Sequence, residues 1–330
     1  MTDGTATEED QTGAAERKAK GEFVRGVSGF RHAIGDPDFP AEPGRYHLFV
    51  ALNCPWCHRV TLARTFLGLD QSLTLDVAFP TRTDDGLWAF TPDRISPLTG
   101  ATLPECTLET GTGQAHPLAR DIYRAEGSDE KSLPVLYDKR TRRIVSNESA
   151  EIIRMLNAQA SALGSPDSPD LYPEVKRADI DVLNERIYVT INNGAYKAGF
   201  SSDQQVYASA FTAYFDTLRA LEQRLSDGRP FLTGDSFTEA DLRLFPTLYR
   251  HDPVYVIRMK LNAARILDHP HLWRWLCRVH ALPGVRTSSS LIHCRQGYFG
   301  RSWNNVIPLG PTHPMPYPDA YAHPELANPA

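Results

Sequence analysis

Apolar positions run almost unbroken through residues 45–52 (Arg45-Tyr46-His47-Leu48-Phe49-Val50-Ala51-Leu52) and stop at Asn53-Cys54-Pro55. A strand is predicted there, then a tight turn, then a helix over 55–67 that opens on Pro55, where a missing N–H costs nothing. A second strand follows at 72–78. Residues 79–115 are rich in Thr, Pro, Gly and Asp and predict a long irregular stretch, of the kind that usually carries function. A short helix is expected at 116–125, and Leu133–Asp138 and Arg143–Val145 read as a hairpin around polar 139–142. Ser146-Asn147-Glu148-Ser149 then opens the amphipathic run 150–156, a helix-start signature.

Beyond this point the pattern changes. Residues 159–173 carry Ser, Gly, Pro and Asp in quick succession and form a linker, after which helical spacing dominates 174–192, 204–225, 239–249, 271–282 and 285–295. Thr238-Glu239-Ala240-Asp241 is a capping arrangement, its hydroxyl and carboxylate suited to free helix N–H groups. The order strand-helix-strand, helix, hairpin, helix is the thioredoxin-fold arrangement. The fold class is therefore an α/β thioredoxin-like N-terminal domain (21–158), the linker, and an all-α C-terminal domain (174–305). A polar lead-in at 1–20 is expected to be disordered, and a Pro-rich tail at 306–330 to wrap the surface or move freely.

Composition narrows the function. With 23% charged residues, 41% hydrophobic residues and a net charge of −5, the chain is an ordinary globular protein without a basic block, which argues against nucleic acid or an anionic membrane as partner. No apolar run approaches the roughly 20 residues a spanning helix needs, and the first 20 residues lack the apolar segment of a signal peptide. Five cysteines (Cys54, Cys57, Cys106, Cys277, Cys294) are few and odd in number, the pattern of a reducing compartment. The expected location is the cytoplasm.

The chemistry sits at Asn53-Cys54-Pro55-Trp56-Cys57-His58-Arg59. The turn puts Cys54 at a helix N-cap, where free N–H groups and the positive end of the helix dipole favour the thiolate. Cys54 is the expected nucleophile. Cys57 has two readings of equal weight: a resolving thiol one helical turn away, within disulfide reach, or a small buried residue. Cys54, Cys57 and His58 lack the second ligand pair that a zinc site needs, so no metal is expected.

These motifs, in this order, resemble the Xi-class glutathione transferases, the glutathionyl-hydroquinone reductases. The resemblance is carried by Gly21-Glu22-Phe23-Val24-Arg25, Cys54-Pro55-Trp56, His58-Arg59, Pro134-Val135-Leu136, Val145-Ser146-Asn147-Glu148-Ser149, Tyr196-Lys197-Ala198-Gly199-Phe200, Thr238–Leu244 and Asp252-Pro253-Val254-Tyr255. It implies an enzyme that reduces glutathionyl-hydroquinones through a mixed disulfide on Cys54, with glutathione as cosubstrate, no bound cofactor, and a homodimeric state. It further implies that Trp88, Leu133, Pro134, Glu148 and Ser149 hold the thiol substrate, with Leu133-Pro134 matching the cis-proline turn. Tyr196 matches a tyrosine over the cysteine, able to donate to a phenolic oxygen or protonate the leaving carbon, and Tyr298 takes the place of one of two adjacent catalytic tyrosines in the family's C-terminal segment. The chain departs from the family at Cys57, usually Ala, and at Glu130, usually basic. It also departs at 291–305, which lacks a His-Tyr-Tyr run. The last two departures leave the thiol open, and the Ala-, Arg-, Asp- and Pro-leaning composition, that of a high-GC genome, sets mycothiol beside glutathione as a candidate. Two further readings remain beside the reductase: a glutaredoxin-like dithiol oxidoreductase using Cys54 and Cys57, and a non-enzymatic assembly module.

Overall fold

The computed structural model describes Lys18, residues 20–300 and residues 306–308. Most of the expected lead-in and tail, and positions 301–305, thus lie outside the described residues. Two compact units are present, and they do not follow the chain strictly. One joins residues 30–169 to 280 onward; the other joins the residues up to Gly29 to 170–279.

The first unit is built on a four-stranded mixed sheet of order β2-β1-β3-β4, with β1 at Tyr46–Val50, β2 at Thr74–Val77, β3 at Val135–Asp138 and β4 at Arg143–Ser146. Strand β1 runs parallel to β2 and antiparallel to β3, with Leu48 opposite Leu75 and Leu136. All five residues of β1 are buried, which is why its apolar run does not alternate. Its one imidazole, His47, bonds Thr74 Oγ1 through Nδ1 at 2.8 Å and places Nε2 3.4 Å from Asp76. The hairpin turn is held by Asp138, which accepts from the Arg140 N–H at 2.9 Å and from Arg45 at 2.6–3.0 Å. Helices α1 (Pro55–Phe66), α2 (Ala119–Arg124) and α3 (Ser149–Gln159) complete the thioredoxin-like order, with α1 packed on α3. The stretch 79–115 is irregular as expected, with only isolated bridges such as Ile95–Thr102.

The second unit is helical: α4 (Arg177–Ile187), α5 (Asn193–Phe200), α6 (Gln204–Arg224), α7 (Glu239–Arg250), the single turn α8 (Val256–Arg258) and α9 (Pro270–His280). The helix expected over 174–192 is longer and interrupted: a π-helical turn at Tyr188–Asn192 joins α4 to α5. Buried Asn192 stabilises it by donating to Thr247 Oγ1 at 2.8 Å and to the Arg243 carbonyl at 3.1 Å, so the turn depends on α7. The capping arrangement forms as expected. Buried Asp241 accepts from the Thr238 N–H (3.1 Å), the Leu232 N–H (2.8 Å) and the Trp275 indole (2.8 Å), tying α7 to α9.

Helix α10 (Leu291–Phe299) belongs to the first unit and differs from the helix expected over 285–295. Serines displace its start. Ser288 and Ser289 hydroxyls donate back to the Gly284 and Val285 carbonyls (2.9 and 2.7 Å), which favours turns over a continuing helix. Ser290 then caps α10 by accepting from the His293 N–H.

Asp241→Ala leaves three buried donors without an acceptor, at an expected cost of about 2–4 kcal/mol. Urea denaturation checks this; a midpoint within error of the unsubstituted protein contradicts the role given to Asp241.

Candidate active site

The centre of the site is the junction of β1 and α1. Cys54 is the N-cap, with extended backbone angles of −80° and 122°, and its carbonyl accepts the first helical bond from the His58 N–H at 2.9 Å. Its own N–H is bonded to the Ala51 carbonyl at 2.9 Å, so the turn is closed on both sides. Pro55 follows in the first turn, and that turn carries no acidic residue, so no carboxylate offsets the positive end of α1. Cys54 is half-buried and in no disulfide, with its Sγ 3.9 Å from the Leu133 carbonyl. The Leu133–Pro134 bond is cis. Thus Cys54, Leu133 and Pro134 come together as the sequence implied.

Cys57, in contrast, is fully buried, in no disulfide, and within electrostatic reach of the Tyr123 phenol in the core. Burial pushes that phenol well above the ordinary tyrosine range. Trp56 faces Arg59, whose guanidinium stacks over the indole at 4.7 Å. Arg59 is itself buried and donates twice to Ser149 Oγ, at 3.1 and 2.7 Å, with Glu148 3.5 Å away. Arg59 therefore links the cysteine helix to the N-terminus of α3. Glu148 is the N-cap of α3, accepting from the Ala150 N–H at 3.0 Å, and keeps a quarter of its side chain exposed. Ser149 is fully buried, so its hydroxyl serves Arg59 and not the surface. Glu130 accepts from Asn147 Nδ2 at 2.5 Å.

Trp88 is nearly buried, covered by the Arg82 guanidinium 4.2 Å from its ring, while its carbonyl accepts from the Ala119 N–H at the start of α2. Tyr298 is half-buried on α10, next to buried Phe299. Tyr196 lies on α5 of the helical unit, half-buried among Phe23, Phe200 and Tyr255 with ring centroids 5.7–6.5 Å apart. Among the described residues no cluster of His, Cys, Asp or Glu suits a metal ion.

Sequence reasoning passed over Arg59, though it stands inside the cysteine motif, and Gly297, a glycine within a helix. A Cβ at Gly297 would lie 2.5 Å from Asn53 Cγ and 2.7 Å from Asn53 Cβ, so α10 abuts the residue that precedes Cys54.

A half-exposed N-cap cysteine facing a cis-proline turn defines the class of thioredoxin-fold thiol transferases. Family models place the chain more closely: the glutathione S-transferase N-terminal domain matches residues 53–159 and the C-terminal domain residues 204–278. The glutathionyl-hydroquinone reductase of Sphingobium chlorophenolicum is 37% identical, over 91% of this chain and 93% of its own. That of Escherichia coli is 40% identical, over 88% of each chain. Among solved structures, the Xi glutathione transferase of Phanerochaete chrysosporium superposes with a TM-score of 0.81 at 36% identity, covering 89% of this chain and 94% of that one. The glutathione-bound structure of the E. coli relative gives 0.77 at 38% identity, covering 86% and 92%. This chain belongs to the Xi-class glutathione transferases, the family of the glutathionyl-hydroquinone reductases.

Arg59→Met removes both donors to Ser149 and the charge beside Glu148, at an expected cost of about 2–3 kcal/mol, with Arg59→Lys recovering part of it. Chemical denaturation of the two variants checks this; equal loss in both contradicts the forked contact.

Proposed function

We propose that this protein reduces glutathionyl-hydroquinones with glutathione as the thiol cosubstrate, and that Cys54 is the nucleophile. The observation that carries the reading is Cys54 itself, half-exposed at an uncompensated helix N-terminus and facing the Leu133 carbonyl. The relatives named for this activity support it, and a glutathione-bound relative supports the choice of thiol.

In the first step the Cys54 thiolate attacks the glutathione sulfur of the aryl thioether. The carbon–sulfur bond breaks, the ring carbon takes a proton, and free hydroquinone leaves a Cys54–glutathione disulfide. A second glutathione thiolate attacks the glutathione sulfur of that disulfide, releasing oxidised glutathione and regenerating the Cys54 thiolate. The leaving Cys54 sulfur departs readily as a thiolate at a helix N-terminus. We assign Tyr298 and Tyr196 to proton delivery at the leaving carbon and to stabilising charge on the phenolic oxygen. Leu133 and Glu148 hold the thiol substrate, the former through its backbone and the latter through its exposed carboxylate. Trp88 covers that substrate. The α3 N-terminus offers N–H groups to a substrate carboxylate. Ser149 contributes by holding Arg59 in place.

Full burial of Cys57 favours packing over a resolving role, and so the one-cysteine reaction over the dithiol one. An activated, half-exposed thiol has no use in an assembly module. The cytoplasm and a homodimer complete the reading; no helix among the described residues is long and apolar enough to cross a membrane.

The test is intact-mass spectrometry of Cys57→Ser protein mixed with a glutathionyl-hydroquinone and no added thiol. The expected result is one glutathione on Cys54 with free hydroquinone released, and steady-state turnover within about twofold of the unsubstituted protein. Unmodified protein whose Cys54 still alkylates overturns glutathione as the thiol and points to a mycothiol-type substrate. Turnover reduced about tenfold or more instead assigns Cys57 the resolving role.

A further inference from the structure

Helix α10 is held against the cysteine turn by polar contacts that the reaction does not use. Gln296 is fully buried, and its carboxamide is bonded at both ends: the Ser96 hydroxyl donates to Oε1 at 2.6 Å, and Nε2 donates to Thr81 Oγ1 at 3.2 Å. Both partners lie in the long irregular stretch that also carries Trp88. Around this latch, Ile292 packs on the small core of Phe79, Leu103 and Cys106, and buried His293 lies 3.7 Å from Glu105. One residue past Gln296, Gly297 abuts Asn53 with no room for a Cβ; one residue further stands Tyr298. A buried amide with both donor and acceptor satisfied fixes a helix more narrowly than apolar packing, because a shift along the axis breaks both bonds at once.

We propose that Gln296 is a positioning residue for the electrophile side of the site: bonded to Ser96 and Thr81, it sets the register of α10 at which Gly297 closes on Asn53 and Tyr298 is presented to the substrate. The proposal rests on the reductase reading for its substrate, but not for its geometry. It predicts a split between substrates. A glutathionyl-hydroquinone needs the phenol of Tyr298 as well as Cys54. A small glutathione mixed disulfide, such as that with 2-hydroxyethanethiol, needs Cys54 alone, because its leaving group is already a good thiolate.

The experiment compares Gln296→Met, which keeps size and removes both bonds, with Ser96→Ala, Gly297→Ala and the Gln296→Met/Ser96→Ala double variant. For Gln296→Met and Gly297→Ala, kcat/KM with the glutathionyl-hydroquinone is expected to fall about tenfold or more, while that with the small disulfide changes less than about twofold. Ser96→Ala gives a smaller loss, and the double variant loses no more than Gln296→Met alone, since the two residues act through one contact. Hydrogen exchange in peptides covering 291–299 quickens in Gln296→Met, while 55–66 keeps its protection. Equal losses on both substrates, additive effects in the double variant, or unchanged exchange in 291–299 overturns the proposal. If the unsubstituted protein turns over the small disulfide but not the glutathionyl-hydroquinone, the reductase reading fails. The exchange measurement then decides the latch by itself.

Discussion

Everything in the first unit depends on where β1 stops. Buried on all five positions and flanked by a parallel and an antiparallel neighbour, β1 has no freedom to slide, because a one-residue slip would turn every side chain to the opposite face of the sheet and disrupt packing on both. The chain leaves it through Asn53-Cys54 and enters α1 at Pro55. The position of the Cys54 sulfur is thus fixed by a strand that carries no chemistry. Asn53 is also where α10 touches down, through the one residue in that helix without a side chain. The sheet centre, the cysteine helix and the C-terminal helix meet in two consecutive residues.

Around that junction the charges fall into two roles. The α1 N-terminus is left without a carboxylate in its first turn, so its partial positive charge is available to a thiolate or to a bound anion. The α3 N-terminus, in contrast, is capped by Glu148, whose charge is balanced by Arg59 from α1. The cation buried between Trp56 and Ser149 is received by the indole face and the hydroxyl as well as by Glu148. Two helix starts close together are therefore charged differently: one leaves its partial positive charge open beside Cys54, and the other is capped by a carboxylate that Arg59 balances. Glu105, held below the ordinary carboxylate range chiefly by the His293 imidazole 3.7 Å away, brings the long irregular stretch against α10.

Local signals carried the sequence reading where the physics is local. The break from β1 into a Pro-opened helix, the Asp138 hairpin and the Thr238–Asp241 cap each involve neighbours a few residues apart, and each was legible. The π-helical turns at Tyr188–Asn192 and His251–Tyr255 were not, because each is held by a distant partner: Asn192 by α7, Asp252 by the Ile266 N–H at 2.6 Å, and His251 by Tyr214. The start of α10 differs from the expected one because the hydroxyls of Ser288 and Ser289 bond back to carbonyls one turn earlier, while Ser290 caps the helix. Of the site, Cys54 and the Leu133-Pro134 turn could be read from the chain. Arg59 looked like part of a motif, and its bonds to Ser149 span 90 residues. Ser96 and Gln296 are 200 residues apart and share no pattern that a sequence displays.

The central claim is that the helix start makes Cys54 a thiolate at neutral pH. Its most direct test is the pH dependence of Cys54 alkylation by iodoacetamide in Cys57→Ser protein, located by mass spectrometry, with free cysteine beside it. The account predicts a rate on the neutral-pH plateau while free cysteine is still far down its rising limb. A profile that rises in parallel with free cysteine would contradict it, leaving an ordinary thiol at the end of β1 and no basis for the sulfur chemistry.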